Sequence, residues 1–484
     1  MAVRSHSLHL TMTFIKILLG PIIAWIVAYL TSQVLHHPEL FPITFSTVWM
    51  LIWWISQAVP MPVTALLPLI LFPGLDILDL KTTAAAYGHE VVFLFLGGFL
   101  LALGLEKYHV HTATAKWILH KTGNQPKRLL LGFSLATALL SMWISNTATT
   151  MMMLPMAISV FPFIRGSWAP QFRKRLLLAL AYSSSIGGVA TLIGTPPNSV
   201  LRGMSEQFTG ISLGFFSWMA IGVPFAAMLL ILMYILLSQK WDAKNIEVDF
   251  SEQDIFGQPI NLNSNQKRLI GIFVFTITGW MFGPWISRWL NLPVSDASVA
   301  LVGALLLFVV PEHHPNPSHK KKALLEWSDT QNLAWGVILL FGGGFALAKG
   351  LESSGMIQIL TNGLLSLGIS NPFVLMALFS ISALFLTELM SNVALVTLMV
   401  PVVINAAQTL GLHPLFFAIP VTLASSMAFM FPMATPPNAI VFSNSDSLSV
   451  RDMASFGFIL NLLALGVLLV ICLLVFQIFP DLVS

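Results

Sequence analysis

Apolar segments of membrane-spanning length follow one another along almost the whole chain, and no other feature constrains the fold as strongly. An α-helix needs about 20 mostly apolar residues to cross a bilayer. Only 9% of the 484 residues are charged, whereas soluble domains carry about 25%, so the chain cannot cover a water-facing surface. The pattern, which is not that of short alternating strands, predicts an all-α polytopic membrane protein. The apolar segments lie near residues 15–30, 42–59, 62–73, 91–119, 131–162, 176–203, 210–238, 268–290, 295–310, 332–362, 374–405, 415–442 and 455–479.

The composition also excludes several classes of protein. A formal net charge of +3 is too small to indicate a polyanionic partner such as a nucleic acid. The one cysteine, Cys472, cannot form an internal disulfide, which excludes a disulfide-stabilised secreted scaffold. The sequence contains no cofactor fingerprint or nucleophile–base pair that would indicate an enzyme. The partner that the composition does indicate is the lipid bilayer.

The sequence contains an internal duplication. The stretch FLGGFLLALGLE at Phe95–Glu106 matches FGGGFALAKGLE at Phe341–Glu352, at an offset of 246 residues. At the same offset, SMWISNT from Ser141 matches TELMSNV from Thr387. The tetrapeptide Thr-Pro-Pro-Asn occurs at 195–198 and again at 435–438. Blocks repeated in one register indicate two copies of one structural unit.

The positions of Lys and Arg predict that the two copies have opposite orientations. Basic residues flank segment 131–162 on both sides, so both of its ends are expected in the cytoplasm. Its twin, 374–405, lies in a stretch of 100 residues, 351–450, without Lys or Arg, so both of its ends are expected outside. Each segment must then be a re-entrant hairpin. Inverted repeats with broken helices are typical of secondary transporters.

The tips of the two hairpins have the composition of a binding site for an anion. Ser145, Asn146 and Thr147 stand directly before an apolar helical run, where polar side chains cap a helix. The free N–H groups of a helix N-terminus attract negative charge. Ser391 and Asn392 precede the matching run in the second copy and are expected to act in the same way.

Each Thr-Pro-Pro-Asn is predicted to break a helix, with Thr195 or Thr435 as the cap and the prolines in the next turn. The carbonyls of Gly194 and Ala434, just before these motifs, would lose their helical partners. In a membrane such carbonyls need another partner, and a bound cation can serve. Ser141 and Thr387, four residues before the tip serines, add hydroxyl oxygens on the same helix faces.

Two alternatives stay open for single residues. Membrane helices use Ser, Thr and Gly at close-packed interfaces, so any one of these polar residues could serve packing alone. Recurrence of both motifs in register at predicted helix breaks favours a binding site. Glu388, three residues before Ser391, is either a functional acid within the membrane or a hydrogen-bonded structural residue.

The paired Ser-Asn-Thr-type tips, each followed by a Thr-Pro-Pro-Asn-type break, resemble the divalent anion:sodium symporter family over nearly the whole chain. The resemblance implies about 11 transmembrane helices plus two re-entrant hairpins, arranged as scaffold and transport domains in a homodimer that moves like an elevator. It implies a multi-pass protein of the cell (inner) membrane, and the basic residues predict a cytoplasmic N-terminus and an external C-terminus. The predicted units are N-terminal scaffold helices (1–90), a first repeat (91–238, hairpin 131–162, broken helix 176–203), a cytoplasmic connector (239–267) and a second repeat (268–484, hairpin 374–405, broken helix 415–442).

The resemblance also implies the site residues, and no cofactor beyond sodium as the coupling ion. One sodium ion would be held by Ser141, Ser145, Asn146 and Gly194, and the other by Thr387, Asn392 and Ala434. The substrate would contact Ser145, Asn146, Thr147, Thr195, Pro196, Ser391, Asn392, Val393, Thr435 and Pro436. Val393 departs from the family motif, since it lacks the hydroxyl of a threonine.

The implied substrates are dicarboxylates such as succinate, malate or fumarate, related tricarboxylates, or sulfate. Moving a dianion into a cell at about −100 mV costs roughly 4.6 kcal/mol, so electrically driven symport needs three or more sodium ions. Sodium-independent exchange of one dianion for another avoids this cost. The sequence leaves symport and exchange open.

Overall fold

The structure is a computed structural model that describes residues 2–123, 125–239, 246–248, 262–314, 322–366, 368–369, 371–444 and 448–478. Most of the predicted connector 239–267 lies outside the described residues, and so does the end of the predicted second repeat. The α-helices are α1 (Ala2–Val34), α2 (Phe41–Ser56), α3 (Met61–Thr64), α4 (Leu67–Gly74), α5 (Leu80–Ala85), α6 (Glu90–Lys107), α7 (Val110–Thr122), α8 (Pro126–Ser141), α9 (Asn146–Val160), α10 (Ala169–Gly188), α11 (Pro196–Thr209), α12 (Phe215–Ser238), α13 (Ser264–Leu290), α14 (Asp296–Val309), α15 (Trp335–Ser353), α16 (Met356–Leu365), α17 (Pro372–Leu386), α18 (Asn392–Thr409), α19 (Leu415–Ser425), α20 (Pro436–Ser443) and α21 (Val450–Ile478).

Short 3₁₀ turns and one small strand pair complete the described elements. The 3₁₀ turns are Pro38–Leu40, Ala86–Gly88, Phe161–Phe163 and Trp327–Asn332. Strand β1 (Ile164–Arg165) pairs antiparallel with β2 (Glu247–Val248), with Ile164 opposite Val248. This pair joins the segment after α9 to a described piece of the connector.

The all-α polytopic prediction is confirmed. Among the described residues, seven segments are long and apolar enough to cross a membrane. Several further apolar helices are shorter than a bilayer requires. The number of eleven spans and the opposite orientation of the repeats stay predictions. The seven segments are Ile15–Val34, Pro38–Ser56, Leu80–Lys107, Phe215–Ser238, Trp335–Ser353, Asn392–Thr409 and Val450–Leu474.

Two apolar segments that looked continuous in the sequence are each divided into two helices. Segment 91–119 breaks after α6, where His109 has a left-handed φ of 53°. Segment 332–362 breaks after α15, where Gly355 has a φ of 74°. A single residue in the left-handed conformation ends a helix. It does not lower the mean hydropathy of the segment, so the apolar pattern cannot reveal such a break.

The two predicted hairpins and the two broken helices are present as helical elements. Helices α8 and α9 contact each other across residues 142–145, and α17 and α18 do so across residues 387–391. Helices α10 and α11 flank the first break, and α19 and α20 flank the second. The broken helices form the centre of the molecule, since every residue from 176 to 195 and from 415 to 429 is buried.

The helices of the two repeats interlock around the breaks. Helix α11 of the first repeat packs against α18 and α19 of the second, while α20 of the second packs against α9 and α10 of the first. Helices α6, α13 and α14 form a second group, in which α14 packs against the other two. Helix α11 also contacts α6, and there the buried Arg202 forms ion pairs with Asp296 of α14 (2.8 Å) and Glu90 of α6 (3.5 Å).

Candidate functional site

The first hairpin tip brings a hydroxyl and an amide together. Ser141 ends α8 and Asn146 begins α9, and the hydroxyl oxygen of Ser141 lies 2.6 Å from Oδ1 of Asn146. The same hydroxyl oxygen lies 2.7 Å from the carbonyl oxygen of Ser184 in α10. The predicted cap at Ser145 is confirmed, because its hydroxyl accepts a hydrogen bond from the N–H of Ala148 (3.3 Å).

The second hairpin tip repeats this arrangement. The hydroxyl oxygen of Thr387 lies 2.7 Å from Oδ1 of Asn392 and also contacts the carbonyl oxygen of Ser425, where α19 ends. The predicted side-chain cap at Ser391 is wrong. Its hydroxyl accepts no hydrogen bond from the helix, because only its backbone carbonyl takes part, with the N–H of Leu395 as donor (2.9 Å).

In both tips, acceptor oxygens outnumber protons. A hydroxyl carries one proton and can donate one strong hydrogen bond, yet each of these hydroxyls faces an amide oxygen and a backbone carbonyl at hydrogen-bonding distance. The remaining contact between two oxygens is unfavourable unless a positive charge lies near them. The donor set of each tip, made of hydroxyl, amide and carbonyl oxygens, therefore suits a hard cation, which prefers oxygen ligands.

The two helix breaks lie where the prolines predict them, but the caps differ. The hydroxyl of Thr435 accepts a hydrogen bond from the N–H of Asn438 (3.5 Å), as predicted. Thr195 is the N-cap residue of α11, as predicted, but its side chain makes no capping hydrogen bond. The N–H of Asn198 donates to the backbone carbonyl of Thr195 instead (3.3 Å), so the hydroxyl is not needed to satisfy it.

Gly194 and Ala434 occupy the C-terminal ends of the breaks rather than the ends of the preceding half-helices. Helix α10 has already ended at Gly188 and α19 at Ser425, so the breaks are longer than the Thr-Pro-Pro-Asn motif alone predicts. A Cβ atom on Gly194 would collide with the carbonyl oxygen of Gly188 and would lie in tight contact, at 3.0 Å, with that of Ser141. Gly194 thus lies among the oxygens of the first tip. Ala434 is half-buried at the matching place.

Sequence reasoning missed four residues at the core of the two sites: Ser184, Ser425, Asn198 and Asn438. The two serines supply the carbonyls that face Ser141 and Thr387. The two asparagines are fully buried, and their Nδ2 atoms donate to carbonyls of the breaks. The recurrence of Asn at the end of both Thr-Pro-Pro-Asn motifs was the available signal for the asparagines.

Glu388 is a hydrogen-bonded structural residue. Its carboxylate is 2% exposed and accepts hydrogen bonds from three backbone N–H groups of the second break, at Phe429 (2.8 Å), Met430 (2.9 Å) and Phe431 (3.2 Å). The Nδ2 atom of Asn461 in α21 donates a fourth (2.8 Å). Met142 stands at the matching place in the first repeat, so this support exists on one side only.

The remaining predicted site residues lie at the starts of the same helices. Thr147 is half-buried in the first turn of α9, whereas Val393, at the matching place in α18, is only 8% exposed. Pro196 and Pro436 begin α11 and α20. Tyr182 of α10 stacks edge-on against Phe429 of the second break, with ring centroids 5.2 Å apart. That contact brings the first broken helix and the second break together.

Comparison with known proteins agrees with this architecture. The model of a family described as citrate transporters matches residues 51–422, which is more than half of the chain. The chain belongs to the citrate transporter family. The resemblance that the paired motifs carry is confirmed by this match, and this member of the family is a multi-pass membrane protein and no enzyme.

Relatives of this citrate transporter family member are similar over most of their length. A sodium-dependent dicarboxylate transporter from Staphylococcus saprophyticus is 36% identical, with 88% of this chain and 84% of the relative covered. A sodium-dependent dicarboxylate transporter from Staphylococcus aureus strain USA300 is 33% identical, with 96% and 91% covered. The crystal structure of the Alcanivorax borkumensis YdaH transporter has a similar fold, with a TM-score of 0.56, 11% identity and coverage of 84% of this chain and 88% of that one.

Proposed function

We propose that this protein is a secondary active transporter of small dicarboxylates, coupled to sodium, in the cell membrane. The observation that carries the proposal is the matched pair of tips, in which one hydroxyl faces two acceptor oxygens. Two relatives named sodium-dependent dicarboxylate transporters support the choice of ion and substrate.

Each tip supplies the ligands of one sodium ion in this proposal. The first site uses the oxygens of Ser141, Ser145, Asn146 and Ser184 with the carbonyl of Gly194, and the second uses those of Thr387, Asn392 and Ser425 with the carbonyl of Ala434. Unwound backbone carbonyls beside half-helices are a common sodium site in transporters. The close approach of the Gly194 backbone to the carbonyl oxygens of Gly188 and Ser141 supports the first site.

The dicarboxylate lies between the two tips and contacts the N-termini of the half-helices. Helices α9 and α18 begin at Asn146 and Asn392, and their free N–H groups favour a carboxylate. Thr147 adds a hydroxyl on one side, together with Ser145, Thr195 and Pro196. On the other side, Ser391, Thr435 and Pro436 surround Val393, which offers no hydrogen bond. The two carboxylates therefore meet chemically unequal halves, and this inequality sets the choice among succinate, malate, fumarate, citrate and sulfate.

Sodium makes binding of the dianion possible. None of the proposed site residues is Lys or Arg, so the protein itself supplies no full positive charge to the substrate. Burying an unpaired dianion is expensive, and cations bound beside it offset that cost. Sodium must therefore bind before the dicarboxylate or together with it, which couples the two fluxes.

Transport requires the site to reach each side of the membrane in turn. We assign the hairpins and broken helices to a transport domain, because they pack against one another, and α6, α13 and α14 to a scaffold domain, because they form a second group. The transport domain moves against the scaffold as an elevator, with the repeats in opposite orientations and with a second copy of the chain as the scaffold partner in a homodimer.

Counterflow of radiolabelled succinate in proteoliposomes tests this proposal. Vesicles loaded with unlabelled succinate should accumulate the label transiently, and only when sodium is present on both sides. With the membrane potential held at zero by potassium and valinomycin, a channel or an enzyme gives no counterflow. Equal counterflow without sodium would contradict symport and would make the protein a dicarboxylate exchanger.

A further inference from the structure

Asn198 and Asn438 hold the two helix breaks in the same way. Nδ2 of Asn198 has two protons to donate, to the carbonyl oxygens of Thr191 (2.7 Å) and Val189 (3.2 Å), and the carbonyl oxygen of Gly188 lies 3.5 Å away. Nδ2 of Asn438 donates to those of Ala428 and Phe431, both at 3.0 Å. Ala428 and Phe431 follow Gly188 and Thr191 at the offset that relates the two asparagines themselves, 240 residues. The amide nitrogen of each asparagine therefore lies within 3.5 Å of carbonyl oxygens at the same two positions of the two repeats.

The orientation of both amides leaves an acceptor without a partner. Both asparagines are fully buried, and neither Oδ1 atom has a hydrogen-bond partner within the described residues. A buried, unsatisfied acceptor is costly. An aliphatic side chain would avoid that cost, yet both repeats retain the asparagine. The presence of asparagine in both repeats, despite its unsatisfied Oδ1 atom, indicates that the Nδ2 donor is required.

The carbonyls that Asn198 holds lie beside the atoms proposed to bind sodium. A Cβ atom on Gly188 would collide with Oδ1 of Asn146, and one on Gly194 would collide with the carbonyl oxygen of Gly188. The backbone of Gly188 therefore lies directly beside both Asn146 and Gly194. The amide of Asn198 also holds the carbonyl of Thr191, whose hydroxyl accepts a hydrogen bond from the N–H of the proposed ligand Gly194 (3.0 Å).

We infer that Asn198 and Asn438 are matched positioning residues, each of which shapes one cation site by holding the carbonyls of its helix break. This inference rests on the proposed sodium coupling. The two residues act on separate sites, so the effect of changing one should not depend on the other. Neither is a ligand of the cation in this account.

Sodium-dependent thermal unfolding of the purified full-length protein tests the inference. A ligand that binds the folded state raises the melting temperature with its concentration, so sodium titrated against choline at constant ionic strength gives a half-saturating concentration. We expect Asn198→Ala and Asn438→Ala each to raise that concentration about tenfold, as expected for the loss of hydrogen bonds that hold the site. Each single variant should weaken one site and leave the other unchanged, whereas the double variant should weaken both sites about tenfold.

The controls separate positioning from a merely structural role. Thr276→Val removes a fully buried hydroxyl in α13, far from both breaks in the sequence, and should not change the half-saturating sodium concentration. Asn198→Ser keeps one donor and should shift it less than alanine does. If the alanine variants only lower the melting temperature equally at every sodium concentration, the inference is wrong. If the unchanged protein does not respond to sodium, the proposed sodium coupling fails, and the inference fails with it.

Discussion

A single hydroxyl proton faces two acceptors at each hairpin tip. Ser141 can donate to Asn146 or to Ser184, and Thr387 can donate to Asn392 or to Ser425, but neither can donate to both at once. A sodium ion that contacts the surplus oxygens would remove this conflict. The proposed cation sites are thus incomplete hydrogen-bond networks in a largely buried setting, where an unsatisfied polar group is costly.

Replacing either tip asparagine should therefore impair transport. Asn146→Ala and Asn392→Ala each remove an oxygen from a buried site, and we expect sodium-dependent succinate uptake to fall about tenfold or more. Uptake by proteoliposomes at matched protein content measures this. Asn263→Ala removes a capping amide from α13, outside both tips, and should leave uptake nearly unchanged. Uptake at the unchanged rate in either tip variant would mean that the tip does not bind cation or substrate.

Glu388 should stabilise the protein by accepting hydrogen bonds from the backbone N–H groups of the second break. Glu388→Gln replaces one carboxylate oxygen by a donor that faces other donors, so we expect a loss of about 2 kcal/mol of folding stability. Thermal unfolding in detergent measures the change. Glu352→Gln alters only a partly exposed pair with Lys349 and serves as the control. Equal melting temperatures for Glu388→Gln and the unchanged protein would show that the four hydrogen bonds contribute nothing net.

The residues that sequence analysis found are those with a motif of their own. Ser141, Asn146, Thr387 and Asn392 stand in two copies of one pattern at predicted helix breaks, so their pairing could be predicted. Ser184 could not be found in this way, because it is one of three consecutive serines, 183–185, in a buried helix. Its contribution is a backbone carbonyl, which any residue carries, so no side-chain pattern can identify it.

At the scale of elements, proline fixes only one end of a helix break. Its ring blocks the helix on the N-terminal side and suits the first turn of the next helix, so the starts of α11 and α20 were predictable. The preceding half-helices end several residues earlier, at Gly188 and Ser425. The backbone after these ends donates hydrogen bonds to Glu388 and accepts them from the two buried asparagines, and such contacts with side chains elsewhere in the chain are not encoded in the local sequence.

The attachment of α11 to α6 and α14 depends on one buried cation. Arg202 is 2% exposed and lies between Asp296, 15% exposed, and the more exposed Glu90, so Arg202→Met would leave the mostly buried Asp296 carboxylate without its cation and should cost about 3 kcal/mol. Thermal unfolding measures the loss, with Lys322→Met, in a more exposed pair, as the control. Adding Asp296→Asn to Arg202→Met should restore part of the stability. An unchanged melting temperature in Arg202→Met would contradict a stabilising role for this contact.

At the scale of the whole molecule, the membrane class follows from composition, whereas the orientation of the repeats rests on charge alone. Helices α8, α9, α17 and α19 are too short to cross a bilayer unaided, so hydropathy cannot distinguish a re-entrant hairpin from two short spans. The sequence also could not predict the boundary between the group of α6, α13 and α14 and the group of hairpins and broken helices. This boundary depends on which apolar faces pack together, and nearly all faces here are apolar.

The opposite orientation of the two repeats can be tested by labelling. Single cysteines at Gly123 and Asn371, in a Cys472→Ser background, should react with membrane-impermeant reagents from opposite sides of the membrane. These positions lie before the first and the second hairpin, beside a basic stretch and a stretch without Lys or Arg. Reaction of both cysteines from the same side would make the repeats parallel and would remove the basis for a site shared between two opposed tips.

Accumulation of succinate against its gradient is the most direct test of sodium-coupled transport by this protein. Proteoliposomes with a sodium gradient directed inward, and with the membrane potential held at zero by potassium and valinomycin, should concentrate radiolabelled succinate above its external level. Dissipating the sodium gradient with an ionophore should release it, and a protein that carries both Asn146→Ala and Asn392→Ala should show no accumulation. Accumulation that is indifferent to sodium, or that appears only when the vesicles already contain a dicarboxylate, would contradict sodium-coupled transport by the two tips.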